Sequence, residues 1–264
     1  MKDKIRLAFS RRQWMLTIAA IVVMILLFAW SKLSFAGKNR IIGNLEVEID
    51  ASKSGYNFLT KQAVVNWVQQ HFDNPVGKPA SEVELTKMEI ELQKVPYVFK
   101  GIIYVAFDGT LKIRVKEREP IALIKNNQDS LFFIDTGGYM IPKRGIQTPV
   151  VWVINGNVKQ KFESGKRAGS PQMVELVNLS KYIRSNELWN AQFEQCYVDK
   201  FGRYLLIPRV GKHSIVLDNT TNMEKKFENL RLFYEKGLPQ VGWNTYREID
   251  ISYEDQIVGR RTEQ

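Results

Sequence analysis

Residues 101–120 read GIIYVAFDGTLKIRVKEREP, and this segment gives the clearest structural pattern in the chain. The apolar run Gly101–Phe107 leads into Asp108–Gly109, and Thr110–Lys116 then alternates strictly between polar and apolar residues. Alternation is typical of a strand with one buried face, and an Asp-Gly pair supplies the positive φ angles of a two-residue hairpin turn. The segment therefore predicts a β-hairpin that ends before Pro120, because proline cannot donate a hydrogen bond within a central strand.

Before the hairpin, the pattern predicts one strand and two helices. Residues 45–50 alternate as a strand does, and Thr60 can cap a first helix. Ser81 and Glu84 have the spacing of a capping box for a second helix, which Pro96 ends. The order strand, helix, helix, strand, strand makes a self-sufficient α+β module, with two helices on one face of a three-stranded sheet.

After Pro120 the chain is richer in strands, which predicts a second, mixed but mostly-β domain with two helices. One helix opens at Ser170–Pro171, where a capping residue precedes a first-turn proline, and continues to Trp189. The other runs from about Asn222 to Lys236, with Gly237 past its end. Strands are predicted at residues 121–124, 131–134, 139–141, 150–154, 193–198, 204–207 and 214–217, and a last strand at 248–253 that continues through 256–259.

Near the start of the chain, seventeen residues from Trp14 to Trp30 pass without a charge. As a helix, the residues from Gln13 to Ser31 reach about 28 Å, close to the ~30 Å thickness of the hydrocarbon core of a bilayer. A tryptophan at each end of the run suits the membrane interfaces. The run predicts a single transmembrane helix at residues 13–33. The alternative is a cleaved signal peptide, since residues 34–36 (Ser-Phe-Ala) resemble a cleavage site, although such apolar cores are usually shorter.

Basic residues predict the orientation of this helix. Five precede it and three lie in the first dozen residues after it, so the positive-inside rule places the tail, residues 1–12, in the cytoplasm. The rest of the chain is then extracytoplasmic, whether the segment is an anchor or a signal peptide. The basic residues are Lys2, Lys4, Arg6, Arg11 and Arg12 before the helix, and Lys32, Lys38 and Arg40 after it.

Composition excludes several classes of protein. Cys196 is the only cysteine, which excludes an intramolecular disulfide and a cysteine-based metal site. The formal net charge is +10, but the bases are scattered rather than clustered with aromatic residues. We therefore expect a solvated surface near anionic lipid or cell wall, and no nucleic-acid partner.

No set of residues indicates catalysis. The two histidines, His71 and His213, have no carboxylate or second histidine at ligand spacing, and Cys196 lies in a predicted strand as a small buried side chain. No phosphate-binding loop or nucleophile elbow occurs. We expect no catalytic residue, metal, cofactor or small-molecule substrate.

The order of these parts resembles the FtsQ/DivIB family of bacterial cell-division proteins. Three segments carry the resemblance: VKEREPIALI at 115–124, FIDTGG at 133–138 and IDISY at 249–253. By this resemblance, residues 41–118 correspond to a POTRA domain and residues 119–260 to a β domain. The chain departs from the family at Ser252, where an arginine is common, although Arg260 and Arg261 follow shortly downstream.

The resemblance implies a non-catalytic scaffold in the cytoplasmic (inner) membrane at the division site. Such scaffolds bind two small single-span proteins of the FtsB/DivIC and FtsL types during septum formation, through the free edge of the final strand. Tyr253 is the expected anchor, although Ile249, Ile251 and Tyr253 alternate and can all belong to the core. Carried over by position, the partner-binding residues are Ile251, Ser252, Tyr253, Glu254, Asp255, Gln256, Ile257 and Val258.

Two other functions remain as alternatives. A POTRA-containing secretion or outer-membrane assembly factor needs a C-terminal β-barrel, for which the predicted helices leave no room. A membrane-anchored protein that binds or hydrolyses cell wall needs paired carboxylates, a metal site or a peptidoglycan-binding repeat, and the sequence shows none of these.

Overall fold

A computed structural model describes residues 11–38, 40–50, 57–144 and 149–262; in its first helix, α1 (Arg11–Lys38), it describes the side chains of residues 14–28 and 30. Residues 1–10 of the predicted cytoplasmic tail lie outside the described residues. The large apolar side chains of α1 from Trp14 to Trp30 are exposed. Within the described residues, no helix has both the length and the hydrophobicity needed to cross a bilayer. The span at 13–33 stays a prediction.

The elements of the first module occur in the predicted order. Their hairpin follows the alternation of residues 110–117, in which the apolar positions are buried. The three strands form one sheet in the order β1–β3–β2. The elements are β1 (Asn44–Asp50), α2 (Lys61–His71), a 3-10 turn (Ala80–Glu82), α3 (Leu85–Gln93), β2 (Val98–Val105) and β3 (Thr110–Glu117).

Two local predictions in this module were wrong. The capping box does not form, because Ser81 lies in the 3-10 turn and Val83 is extended, so α3 begins only at Leu85. The hairpin turn is also not a two-residue turn. Gly109 has a φ of +85° whereas Asp108 has no positive φ, and Gly109 N donates to Ala106 O at 3.1 Å. This is a type I turn followed by a left-handed glycine, which gives a three-residue loop.

The second region forms a nine-stranded mixed sheet in the order β12–β11–β10–β9–β8–β7–β4–β5–β6. The pairs β4–β7, β7–β8 and β10–β11 are parallel and the others are antiparallel. The strands are β4 (Pro120–Lys125), β5 (Leu131–Asp135), β6 (Met140–Pro142), β7 (Trp152–Gly156), β8 (Phe193–Val198), β9 (Tyr204–Pro208), β10 (Ser214–Leu217), β11 (Tyr246–Asp250) and β12 (Val258–Arg261).

This region contains more helices than the two predicted. Ser170 caps α4 (Pro171–Ser185) as expected, since its Oγ accepts from Met173 N at 3.3 Å. Asn186 then caps a separate helix, α5 (Glu187–Gln192), so the predicted helix is broken before Trp189. Gly237 also does not end the last helix. The helical path runs through α6 (Met223–Leu232), a π turn (Phe233–Gly237) and α7 (Leu238–Val241), and it buries Leu238 completely.

The main core lies between this sheet and its helices. Its aromatic centre joins α5, β8 and α6: the ring centroid of Trp189 lies 5.3 Å from that of Phe227 and 5.6 Å from that of Phe193. Cys196 lies in this core and is fully buried. Burial of this apolar surface is the main stabilising contribution, at about 25 cal/mol per Å².

The chain divides into two compact units, and neither is continuous in sequence. The first consists of the described residues within Met1–Glu48, with Gln62–Glu89 and Ile102–Arg114. The second consists of those within Ile49–Lys61, Ile90–Gly101 and Val115–Gln264. The predicted domains 41–118 and 119–260 stay predictions.

Within the second unit, a buried ion pair follows directly after β3. Arg118 Nη1 lies 2.7 Å from Asp135 Oδ2, and the two side chains are only 10% and 4% exposed. The other oxygen of Asp135 accepts hydrogen bonds from Gly137 N and Tyr139 N, both at 2.8 Å. The guanidinium also stacks on the ring of Tyr139, 4.1 Å from its centroid. These contacts fix the Asp-Thr-Gly-Gly turn at the start of the second region.

Candidate functional site

The C-terminal edge of the nine-stranded sheet is the candidate functional site. The two outer strands are β12 and β6. The edge at β6 is covered, because Met140 N donates to Lys166 O and Met140 O accepts from Gly165 N, both at 2.9 Å. Pro142 also lacks a donor. Among the residues that the structure describes, no strand pairs with the outer side of β12, so this edge presents free backbone groups.

The prediction of one last strand at 248–253 that continues through 256–259 was wrong about the backbone path. The predicted strand 248–253 ends at Asp250, whose Oδ1 accepts from Ser252 N at 2.9 Å and so turns the chain out of the strand. Ile251 N still donates to Val216 O at 2.9 Å, and Ile251 is buried. The chain then forms a loop, residues 251–257, and returns as β12 antiparallel to β11. β11 therefore has a neighbour on both sides, and the free edge belongs to β12.

A glycine on β12 leaves room for an aromatic ring from β11. Gly259 is opposite Ile249, and the ring of Tyr246 lies over Gly259. A Cβ at residue 259 would come within 2.5 Å of Tyr246 Cε1. A glycine inside a strand pattern commonly marks such a close approach, so the sequence did contain a signal for this packing.

The loop 251–257 is held against α6 by polar contacts. Asn229 Nδ2 donates to Glu254 O at 2.8 Å, and the side chains of Asn222 and Glu254 are hydrogen-bonded. Lys225 forms an ion pair with Asp255. The residues of α6 and its N-cap that make these contacts were not predicted from the sequence, because nothing in sequence pairs a helix with a loop about thirty residues later. They fix the position from which Tyr253 projects.

The structure brings the eight predicted partner-binding residues into one segment, but in different environments. Ile251 is core, whereas Ser252 and Ile257 are partly buried. Tyr253 is 51% exposed, which means that its ring does not belong to the core that contains Ile249 and Ile251. The remaining exposed residues are Glu254, Asp255, Gln256 and Val258.

A groove of about 430 Å³ separates the loop from the helical segment above it. Leu232 and Phe233 line the helical side, and Gln256 and Ile257 line the loop side. Ile257 also packs against the main core. The groove therefore offers an apolar floor beside the free edge.

Charge on the edge is mainly positive. Arg260 and Arg261 lie on β12 and are exposed, and Arg260 Nε is 3.4 Å from Glu248 Oε1. Exposed charges on an edge strand discourage self-association, because pairing two such edges places like charges together. The same charges favour a partner strand that carries acidic residues.

Two of the groups considered for chemistry, Cys196 and His213, lie elsewhere and are buried, whereas His71 is exposed at the end of α2. Burial raises the pKa of the Cys196 thiol far above its usual range. Burial also lowers the pKa of His213, whose Nε2 is 2.9 Å from Tyr234 Oη. Over residues 11–38, 40–50, 57–144 and 149–262, no group of three or more His, Cys, Asp and Glu side chains is arranged to hold a metal ion.

Comparison with known families gives two matches. The family model described as "FtsQ/DivIB, C-terminal related" matches residues 119–260, and the one described as "POTRA-like domain" matches residues 42–116. No curated protein matches the chain.

Proposed function

The chain belongs to the FtsQ/DivIB family, and we propose that it is a non-catalytic scaffold of bacterial cell division that binds its partners at the edge of β12. Family membership supports a membrane-associated division protein. The specific partners are proposals: small single-span proteins of the FtsB/DivIC and FtsL types. The observation that carries the proposal is the free edge of β12, next to an exposed tyrosine on a fixed loop.

β-Augmentation is the mode of binding that this edge supports. In an antiparallel pair, alternate residues of the outer strand direct their N–H and C=O groups away from the sheet, and an added strand can satisfy them. The edge itself is short, since β12 spans only Val258–Arg261. Backbone pairing of that length gives little specificity, so side chains beside the edge must select the partner.

Tyr253 is the side chain best placed to select the partner. Its ring can bury a large area at low entropic cost, and tyrosine is enriched among the residues that dominate binding energy. Because Glu254 and Asp255 are tied to α6, the loop that carries Tyr253 is already ordered before a partner binds. A preorganised loop loses less conformational entropy on binding. All eight predicted residues, Ile251 to Val258, are retained in the proposal, with Ile251 supporting the loop from the core.

We also propose that α1 anchors the protein in the cytoplasmic membrane, with the N-terminal tail in the cytoplasm and the remainder outside it. The support is the uncharged run from Trp14 to Trp30, together with the exposure of its large apolar side chains. Exposed apolar residues on a continuous stretch of helix need an apolar environment, and lipid provides one.

A binding experiment with full-length protein in detergent tests the partner site. Wild type and Tyr253→Lys are compared for capture of the exported part of the FtsB/DivIC-type protein from the same organism. Phe201→Lys is the matched control, because Phe201 is an aromatic residue that is 74% exposed on a different turn. We expect Tyr253→Lys to weaken binding at least tenfold, because truncation of such an anchor typically costs about 2 kcal/mol or more.

A second variant examines the edge itself. Arg261→Glu reverses a charge on β12 while the exposed backbone stays the same, and it should weaken binding to an acidic partner strand, with a reduced effect at high salt. If Tyr253→Lys binds the partner as tightly as wild type does, the partner-binding site does not include Tyr253. Failure of the wild-type protein to bind would contradict the proposed partner.

A further inference from the structure

Three segments of the first compact unit are joined by backbone hydrogen bonds. Ile42 N donates to Lys78 O at 2.9 Å, and Gly77 N donates to Ile42 O at 2.8 Å. Gly43 N donates to Gly109 O at 3.0 Å, which joins the hairpin turn to the same group. We call residues 40–43, 75–80 and 106–109 the three-loop surface. Backbone hydrogen bonds from residues 40–43 to each of the other two segments make it a defined surface.

Each segment of the three-loop surface presents one large apolar side chain to solvent. Phe107 is 89% exposed, Ile41 is 61% exposed and Val76 is 39% exposed. Each segment also contains a buried residue: Ile42 is fully buried, and Pro75 and Gly109 are also buried. The fold therefore uses the inward residues of these segments as core and leaves one apolar residue of each outside. Clustered exposure of this kind commonly marks an interaction site.

The position of the three-loop surface along the chain indicates what covers it. Helix α1 ends at Lys38, and Arg40 is the first described residue after it. Arg40 O accepts from Ala80 N at 2.8 Å, and α1 also contacts the 3-10 turn at Ala80–Glu82. The three-loop surface therefore begins where the proposed membrane anchor ends.

The contacts of the Arg40 side chain suit a position at the interface between lipid and water. Its Nη1 donates to Ala106 O at 3.1 Å, and its guanidinium lies 5.6 Å from the centroid of the Phe107 ring. An aromatic ring beside a basic group is a common combination at the headgroup level of a bilayer. A cation held in this way does not have to enter the hydrocarbon region with the ring.

The charges of the three-loop surface balance when Asp73, the ion-pair partner of Lys78, is counted with it. Arg40 and Lys78 are basic, whereas Asp73 and Asp108 are acidic, and Lys78 Nζ lies 3.3 Å from Asp73 Oδ2. Electrostatic attraction to anionic lipid is therefore not available as the main contribution. The three apolar side chains must therefore supply the main contribution to membrane binding. Docking then has to occur on zwitterionic lipid as well as on anionic lipid.

We propose that the three-loop surface docks on the headgroup region of the bilayer that holds α1, with Phe107 as its deepest residue. This inference rests on the proposed membrane anchoring. Docking would give the first compact unit a second membrane contact in addition to α1.

Spin-label accessibility in the full-length protein tests the docking. A nitroxide is attached at Phe107→Cys, with the protein reconstituted in phosphatidylcholine vesicles, and its collisions with oxygen and with a water-soluble nickel chelate are compared. The matched control is Gln62→Cys, which is exposed in the first turn of α2, at the opposite end of that helix from His71. Cys196 is fully buried, and wild type taken through the same labelling reaction measures any background label at this residue.

We expect the ratio of oxygen to nickel accessibility to be several-fold higher at residue 107 than at residue 62, and unchanged when phosphatidylglycerol is added. Equal ratios at the two residues would overturn the inference, since both would then lie in water. A label at residue 107 that neither reagent reaches would also overturn it, because that indicates contact with protein.

A third label separates this inference from the anchoring on which it rests. Leu26→Cys places the nitroxide within α1, where bilayer depth gives high oxygen accessibility if the helix spans the membrane. Water accessibility at residue 26 would contradict the anchoring itself. A label that lies in the bilayer at residue 26 but in water at residue 107 would contradict only the docking.

Discussion

Replacing Asp135 with asparagine should destabilise the second compact unit, because it leaves the charge of Arg118 buried without its partner. The Arg118 side chain is 10% exposed and lies 2.7 Å from the carboxylate. Removing one member of a buried pair typically costs about 3–5 kcal/mol. The asparagine oxygen can still accept from Gly137 N and Tyr139 N, and Arg118 keeps its stacking on Tyr139. We therefore expect a loss near the lower limit, about 3 kcal/mol in the free energy of unfolding.

The chain contains a matched control for this substitution. Asp199 forms the same kind of turn, since its Oδ1 accepts from Phe201 N at 2.8 Å and from Arg203 N at 2.9 Å. Its Oδ2 accepts from Arg203 Nε at 2.8 Å, but the Arg203 side chain is 32% exposed. Water can solvate that guanidinium when the carboxylate is lost, so Asp199→Asn should cost at most about 1 kcal/mol.

Urea unfolding of the full-length protein, followed by near-ultraviolet circular dichroism, measures both effects. In a thermal melt of the same variant, a loss of about 3 kcal/mol corresponds to a decrease in Tm of about 6–12 °C for a unit of this size. The double variant Arg118→Met/Asp135→Asn removes both charges and should recover much of the stability, because no unpaired charge remains. Equal costs for Asp135→Asn and Asp199→Asn, or a double variant as unstable as the sum of the single variants, would refute this reasoning.

Two further substitutions address the edge and the buried histidine. Gly259→Ala should cost about 1–3 kcal/mol, because its Cβ displaces the Tyr246 ring, and the cost should largely vanish in a Tyr246→Ala background; a cost that persists there would show that the ring is not the cause. His213 has a pKa below its usual value in the folded state, because burial disfavours its charged form, so the unfolded chain binds the proton first as the pH falls. Stability should therefore be retained above about pH 6.5, the ordinary pKa of histidine, and should decrease as the pH falls below it, and His213→Phe should remove part of that slope. An unchanged slope in that variant would assign the pH dependence to other groups.

Periodicity and turn chemistry were sufficient to predict most of the strands. The hairpin at 101–116 and the strands that became β4, β5 and β8 to β10 have local patterns that the folded protein retains. Helix lengths were harder to predict, because tertiary contacts changed them. Asn186 ends α4 by capping α5, and burial of Leu238 continues the helical path past Gly237. Neither effect is visible in the spacing of apolar residues alone.

The arrangement of the last strands could not be predicted, for two physical reasons. The sequence at 248–259 alternates well enough for one long strand, but the Asp250 side chain competes for a backbone donor and ends the strand. The loop that follows is held by α6, which is a contact between segments about thirty residues apart. The identity of the edge strand depends on both effects. Sequence alone therefore predicted strand on both sides of residue 251 but not the turn at Asp250 that divides it into β11 and β12.

The structure of β12 shows how one edge can be open to a partner and still resist pairing with copies of itself. The strand is four residues long, it contains Gly259, and it carries Arg260 and Arg261. Short length and like charge both disfavour pairing of two such edges. A partner strand with acidic side chains avoids that repulsion, and only a partner that also covers Tyr253 gains the burial of its ring. Affinity at this edge should therefore depend on the loop 251–257 as much as on the strand, so a variant that frees the loop from α6, such as Asn229→Ala, should weaken partner binding while leaving β12 paired with β11.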